Sequence, residues 1–230
     1  MSNIWDILID GQTDIINMLG AVCDEAIEPE MDQFNQPDKG WINRVWKNDC
    51  IRRAHIDVVD ARDSKGLWMM HVCIFPVLGN DAPIYGFDVI AGKNKITGAF
   101  LDLSPTVHHS HEMMDEYAHT ARSFIPKKKR TLPEWATNIF SKDMVAAGNV
   151  NTVEEAEEIV KLALETLNAY LTDICLYSGK ADDELVRKQH DWYCHNQQQN
   201  PHTPRVMKSL GLAEADVELF CKDILFPKTA

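Results

Sequence analysis

The sequence predicts a three-layer α/β/α sandwich with a central antiparallel sheet. Three observations lead there. Several segments between residues 50 and 104 are apolar on both strand faces, which suits a sheet covered on both sides. The connections between them are too short for crossovers, so neighbouring strands run antiparallel. Helical spacing of apolar residues flanks this block toward both ends of the chain.

Taken in order, residues 3–30 place Ile4, Ile7, Leu8, Ile15, Ile16, Leu19 and Val22 on one helical stripe. Arg53–Asp60 alternates Ala54, Ile56 and Val58 against His55, Asp57 and Val59. Leu67–Phe75 (LWMMHVCIF), Ile84–Ala91 (IYGFDVIA) and Lys95–Leu103 (KITGAFLDL) follow as strands, with turns at Gly79-Asn80 and Lys93-Asn94. Residues 108–145 are polar and loop-rich. The best-defined helix covers 152–177. Thr152 and Glu155 have capping-box spacing, Ile159, Val160, Leu164, Leu167 and Leu171 form the stripe, and Gly179 supplies a stop. Further helices are predicted over about 181–196 and 203–210, with Pro201 and Pro204 at the start of the second.

A chain of 230 residues suits a single domain, 1–230, and buries roughly 70% of its unfolded surface. No apolar run spans a bilayer, and the acidic N-terminal stretch is no signal peptide, so a cytoplasmic location is expected. Twenty-three basic against 35 acidic residues, net charge −12, count against nucleic acid and anionic lipid as partners. The cysteines at 23, 50, 73, 175, 194 and 221 include no CxxC, which excludes a standard zinc ribbon. They read most simply as reduced core residues. His108, His109 and His111 crowd together without a second cluster at metal-ligand spacing, so no metal is expected. Asp191 and His195, four apart on a helix, read as a surface pair. There is no GxGxxG after a strand, no Walker A sequence and no GxSxG elbow. A redox enzyme built on this chain would take its electrons from a partner.

Two polar residues interrupt the apolar strands: His71 and Asp88. With the turn at Gly79-Asn80, residues pair when their numbers sum to about 159, which sets His71 opposite Asp88 with Cβ atoms about 5 Å apart. The next turn sets Ala99 opposite Asp88 and Thr97 opposite Ile90. Two readings stand side by side: a buried ion pair that satisfies itself, or a proton-relay pair in a flat apolar pocket. The run Lys127, Lys128, Lys129, Arg130 is either a solvated loop or a dock for an acidic protein, extended by Lys93, Lys95, Arg52 and Arg53.

Three ordered segments, IYGFDVIAGKNKITGAFLDLSP (84–105), LPEW with IFS (132–141) and YCHNQQQNPHTPRVM (193–207), resemble the ferredoxin-dependent bilin reductases over about residues 40–226. The resemblance implies an α/β/α sandwich that holds biliverdin IXα between the sheet and the C-terminal helices. It also implies single-electron delivery by an external 2Fe-2S ferredoxin, with no bound cofactor or metal. Asp88 matches the family's central acid, which protonates the pigment, and His71 the histidine paired with it in phycocyanobilin-forming members. Phycoerythrobilin synthases of phage type carry asparagine at that position. Thr97 and Arg130 fall near positions that hold propionates, where hydroxyl and guanidinium donors suit carboxylates. His55-Ile56-Asp57 matches a His-x-Glu segment whose glutamate serves the D-ring vinyl in the phycocyanobilin type; here the acid is one methylene shorter. Asn200-Pro201 stands where many members have Asn-Asp, and His202 follows as a further candidate binding residue.

The expectation is therefore a monomeric oxidoreductase that adds four electrons to biliverdin and forms phycoerythrobilin, since the shortened Asp57 lets the vinyl escape reduction. Two alternatives stand beside it: phycocyanobilin as the product, and a bilin- or haem-binding carrier that does not turn over. Docking of ferredoxin is expected at Lys127, Lys128 and Lys129.

Overall fold

The computed structural model describes residues 3–93, 95–107 and 111–229. Its centre is a seven-stranded sheet laid down in sequence order: β1 (Asp24–Ala26), β2 (Trp41–Lys47), β3 (Ile51–Ala61), β4 (Leu67–Pro76), β5 (Ile84–Gly92), β6 (Lys95–Ser104) and β7 (Val145–Val150). Every neighbouring pair is antiparallel, as the short connections require. The helices are α1 (Ile4–Val22), α2 (Arg62–Lys65), α3 (Glu112–Ala121), α4 (Glu134–Thr137), α5 (Val153–Asp173), α6 (Asp183–Gln197), α7 (His202–Ser209) and α8 (Glu214–Leu219), the last running on into a π-turn over Phe220–Leu225.

Local chemistry sets the helix ends. Asn3 caps α1 by accepting the Trp5 and Asp6 N–H groups, and Asp6 reaches back to the Asn3 amide. The helical spacing read through residue 30 ends at Val22, where the chain turns into β1 and Pro29 opens a 3-10 turn. Thr152 caps α5 by accepting the Glu155 N–H at 3.3 Å, but Glu155 turns its own carboxylate to the Lys127 amide at 3.0 Å, so the capping box is half made. Gly179, at φ +72°, lies in the left-handed region that glycine enters freely and ends the helical run.

Helices α1, α3 and α5 cover one face of the sheet over Ile56, Val58, Val72, Phe87, Val89 and Leu101. Helices α4, α6, α7 and α8 with the C-terminal segment lie on the other, over Val45, Val59, Met69, Cys73 and Phe75. The sandwich is as expected, but α5 joins α1 on one side, so the layers do not divide the chain simply into its two ends. Fully buried Ile15, Leu19 and Leu167 knit that layer, each contributing about 1.5–3 kcal/mol.

Three readings are corrected. The predicted series of strands begins too late and ends too early: β1 lies inside the segment read as helix, and β2 and nearly all of β7 lie in stretches given no element. The β5–β6 register slips at a bulge between Ile90 and Ala91, so Asp88 lies opposite Phe100, Val89 opposite Ala99 and Ile90 opposite Gly98. Thr97 is the residue the bulge leaves over, and its hydroxyl donates to the Ile90 carbonyl at 2.9 Å. The cysteines are not all reduced. Cys50, in the β2–β3 turn, is bonded to Cys175, just past α5, while Cys23, Cys73 and Cys194 are buried thiols. The fold brings two ends 125 residues apart in sequence to adjacent positions, which spacing alone does not reveal.

The α1–α5 contact depends on a missing side chain. A Cβ on Gly11 would stand 2.6 Å from Val160 Cγ1, a stiff β-branched neighbour. Gly11→Ala is expected to lower stability by about 1–3 kcal/mol in urea unfolding, and adding Val160→Ala is expected to restore part of the loss. Equal losses for the single and double variants would refute the close approach.

Candidate active site

The strand register builds one transverse row across the sheet. Asn43 on β2 pairs with Asp57 on β3, Asp57 with His71 on β4, His71 with Asp88 on β5, Asp88 with Phe100 on β6, and Phe100 with Ala146 on β7. All point to the face that carries the C-terminal helices. From β3 to β7 the row spans about 19 Å at about 4.8 Å per strand. Its β3–β4 half is sealed: Asp57 is 1% and His71 6% exposed, and the Phe226 ring lies edge-on against the imidazole at 5.2 Å. Its β5–β7 half is open: Gly86, Asp88, Ile90, Phe100 and Ala146 are all partly exposed, while Tyr85, Phe87 and Val89 beneath them are buried.

The predicted pairing of His71 with Asp88 is met: Nδ1 lies 2.5 Å from Oδ1. Burial by itself disfavours a charged imidazole, but the Asp88 carboxylate outweighs it and lifts His71 to about 10. The proton of the pair therefore resides on His71 at neutral pH. Asp88 is not the buried acid that a self-satisfying ion pair would require. Asp88 keeps 37% of its side chain exposed, and the desolvated acid is Asp57. Burial raises Asp57 to about 6, although hydrogen bonds from Trp41 Nε1 at 2.8 Å and Asn43 Nδ2 at 3.0 Å pull the other way. His55 is fully buried, 2.8 Å by Nε2 from Asn43 Oδ1. Desolvation, aided by Arg53 and His71, holds its pKa well below the ordinary value, so it is neutral.

The remaining predicted residues separate. Arg130 stands at the open end of the row, its guanidinium 6.0 Å from the Phe100 ring centre. The chain there lies on β7 as a short edge pairing: Gly148 N–H donates to the Lys128 carbonyl and Arg130 N–H to the Ala146 carbonyl. A cleft of about 350 Å³ at that edge is lined by Arg122, Lys129, Arg130 and Lys142 over Phe124 and Ala146. Thr97 is held in the bulge. Asn200 precedes α7, its Oδ1 accepting the His202 N–H at 3.0 Å, and among the described residues no hydrogen bond joins Asn200 or His202 to the row. Lys127, Lys128 and Lys129 are all exposed, and Lys127 also meets Glu155. Arg52 and Arg53 do not extend the basic patch. Arg53 is buried, holding Glu28 at 3.0 Å and the Ile224 carbonyl at 2.9 Å, and Arg52 lies over Phe75 and donates to His190. His108 and His109 lie outside the described residues; His111 caps α3 by accepting the Met113 N–H. Asp191 accepts the Thr229 N–H, and His195 stacks on Trp192.

Two residues of the site were missed in the sequence, Trp41 and Asn43. The signal was present: WINRVWK alternates one face against the other across 41–47. Asp102, also buried on this face and raised to about 6 by desolvation, accepts both the Ser141 N–H and hydroxyl and pins the IFS segment to the sheet. Among the described residues no helix is long and apolar enough to cross a membrane.

Comparison with known proteins identifies the family and agrees with the fold. A family model described as ferredoxin-dependent bilin reductase matches residues 22–227. A phycocyanobilin:ferredoxin oxidoreductase of Gloeobacter violaceus is 30% identical over 198 residues, 80% of this chain and 73% of the relative. One from a Synechococcus species is 27% identical over 208 residues, 84% and 79%. A solved chain named PcyX is 38% identical with a TM-score of 0.74, covering 97% of this chain and 99% of that one. Tomato phytochromobilin synthase, solved in complex with biliverdin, shares the fold at a TM-score of 0.67 and 16% identity, over 94% of this chain and 82% of that one.

The desolvated acid makes a measurable demand on stability. Because Asp57 holds its proton more tightly in the folded state than at its ordinary 3.8, the folded protein loses stability as pH rises from about 4 through about 6. Asp57→Asn removes that penalty. The variant is expected to match the parent near pH 4 and to exceed it by about 2–3 kcal/mol at pH 7 in chemical denaturation. A difference that stays flat across this range would contradict the assignment.

Proposed function

The chain belongs to the ferredoxin-dependent bilin reductases, and from that premise we propose that this oxidoreductase adds four electrons and four protons to biliverdin IXα to form phycoerythrobilin. Reduced ferredoxin supplies the electrons singly. The observation that carries the reading is the transverse row, in which three titratable side chains stand in register beside an open strip of sheet.

The pigment lies flat on the strip of Gly86, Asp88, Ile90 and Phe100, with a propionate toward Arg130. Partial exposure of these residues above a buried under-layer supports a planar occupant, and the Arg130 guanidinium supplies paired donors for a carboxylate. An electron entering a conjugated tetrapyrrole leaves it more basic. The proton held between His71 Nδ1 and Asp88 Oδ1 is the nearest supply, with Asp88 on the open side and His71 as the reservoir. The proton moves from His71 through Asp88 to the pigment, and His71 stays neutral until water reloads it.

Product choice follows from Asp57. It is short, buried and drawn toward β2 by the Trp41 and Asn43 bonds, on the side away from Asp88. An acid so withdrawn protonates a vinyl group poorly, which favours phycoerythrobilin. The alternative product, phycocyanobilin, draws support from the His71–Asp88 pair and from the names of the curated relatives. Lys128 and Lys129, exposed beside the row's open end, are the proposed contact for an acidic ferredoxin.

Asp88→Asn is expected to bind biliverdin with a shifted absorbance and to accumulate a radical under anaerobic reduction; normal turnover would remove Asp88 from its role. Chromatography of the wild-type product is expected to show phycoerythrobilin, and Asp57→Glu, which restores the longer acid, is expected to raise the phycocyanobilin share. A wild-type product that is wholly phycocyanobilin decides for the alternative, and a spectral shift without reduction decides for a carrier.

A further inference from the structure

Asn43 is 3% exposed and touches three partners, and their chemistry fixes which way its amide points. The Phe34 carbonyl, 2.9 Å away, can only accept, so the group facing it is the Asn43 NH2. The same NH2 lies 3.0 Å from Asp57 Oδ1. The Asn43 oxygen therefore faces His55 Nε2 at 2.8 Å, and that nitrogen must carry the hydrogen. His55 is left with a bare Nδ1, buried and without a hydrogen-bond partner among the described residues. Asp57 Oδ1 receives a second N–H from Trp41 Nε1 at 2.8 Å, and an oxygen already taking two N–H donors is a poor seat for a proton. Trp41 is itself held between Phe34 and Phe220, with ring centres at 5.6 and 5.3 Å.

We propose that Asn43, together with Trp41, is a positioning residue that keeps His55 a proton acceptor and directs the acidic hydrogen of Asp57 to Oδ2. When Asp57 gives up that hydrogen, the remaining charge is shared with an Oδ1 already stabilised by two donors, so the clamp serves both protonation states. Asp57 then presents one oxygen only to the row. The charged and titratable groups around it are His71 and Asp88 along the row, His55 and Arg53 on its own strand, and Cys221 from the C-terminal π-turn. The inference rests on the proposed function only for its consequence in turnover.

The test reads the ligand-free protein first. Infrared titration of the protonated carboxyl band abolished by Asp57→Asn is expected to give a midpoint near 6 in the parent. Trp41→Phe, which keeps an aromatic ring but loses the donor, is expected to raise that midpoint by about one pH unit. Heteronuclear NMR of the histidine ring nitrogens is expected to show Nε2 protonated on His55 in the parent and a mixture of tautomers in Asn43→Leu. An unmoved infrared midpoint in Trp41→Phe, or a protonated His55 Nδ1 in the parent, overturns the clamp even if Asn43→Leu folds poorly. In the ferredoxin-driven assay Trp41→Phe, which loosens the hold on Asp57, is expected to raise the phycocyanobilin share. If the midpoint moves and the product pattern does not follow, the clamp stands and the role given to Asp57 in product choice falls.

Discussion

The site depends on cross-strand register, because each polar side chain in the row relies on the one beside it. A buried carboxyl or imidazole without a partner costs several kcal/mol, more than most single interactions return. Asp57 is tolerable because Trp41 and Asn43 meet it from β2, and His71 because Asp88 meets it from β5. A slip of one residue in any strand would send these groups to opposite faces and leave each unpaired. The β5–β6 bulge falls two residues beyond Asp88, so the register disturbance leaves the row intact.

The two faces of the sheet divide the work. The face under α1, α3 and α5 is continuous apolar packing and supplies most of the hydrophobic stabilisation. The other is fully covered only over β2–β4, by the C-terminal helices and the segment through Phe226. Its open part, on β5–β7, offers Gly86, Ile90 and Phe100 beside one accessible carboxylate. An enzyme that handles a flat conjugated molecule needs such a strip, and a domain that packed both faces evenly would have none.

The electrostatics run against a uniform acidic chain. Net charge is −12, yet the β7 edge gathers Arg122, Lys129, Arg130 and Lys142 around one cleft. Arg52 and Arg53, adjacent in sequence to the sheet's polar row, are consumed inside the fold, Arg53 by tying the C-terminal turn to β3. Charge in this protein is placed by tertiary contact: Arg52 and Arg53 turn inward, while every member of the run Lys127 to Arg130 reaches solvent. Within that run Lys127 also meets Glu155.

Alternation and turn length are local properties, so the central strands, antiparallel order and the His71–Asp88 pairing followed from counting along one hairpin. The long α5 helix followed from its cap and stripe. The Cys50–Cys175 bond, the inward turn of Arg52 and the burial of Arg53 did not, because each is decided by segments far apart in the chain. Trp41 and Asn43 were the nearest miss: WINRVWK alternates, but nothing in that stretch says that Asp57 waits across the gap. The sequence by itself determined which side chains alternate to a common face, since the two-residue repeat of a strand is intrinsic to its backbone. Only the tertiary structure decided which of those faces is dry, which carboxyl is desolvated and which stays open to a ligand. Solvation is a property of everything packed around a group, and no local pattern encodes it.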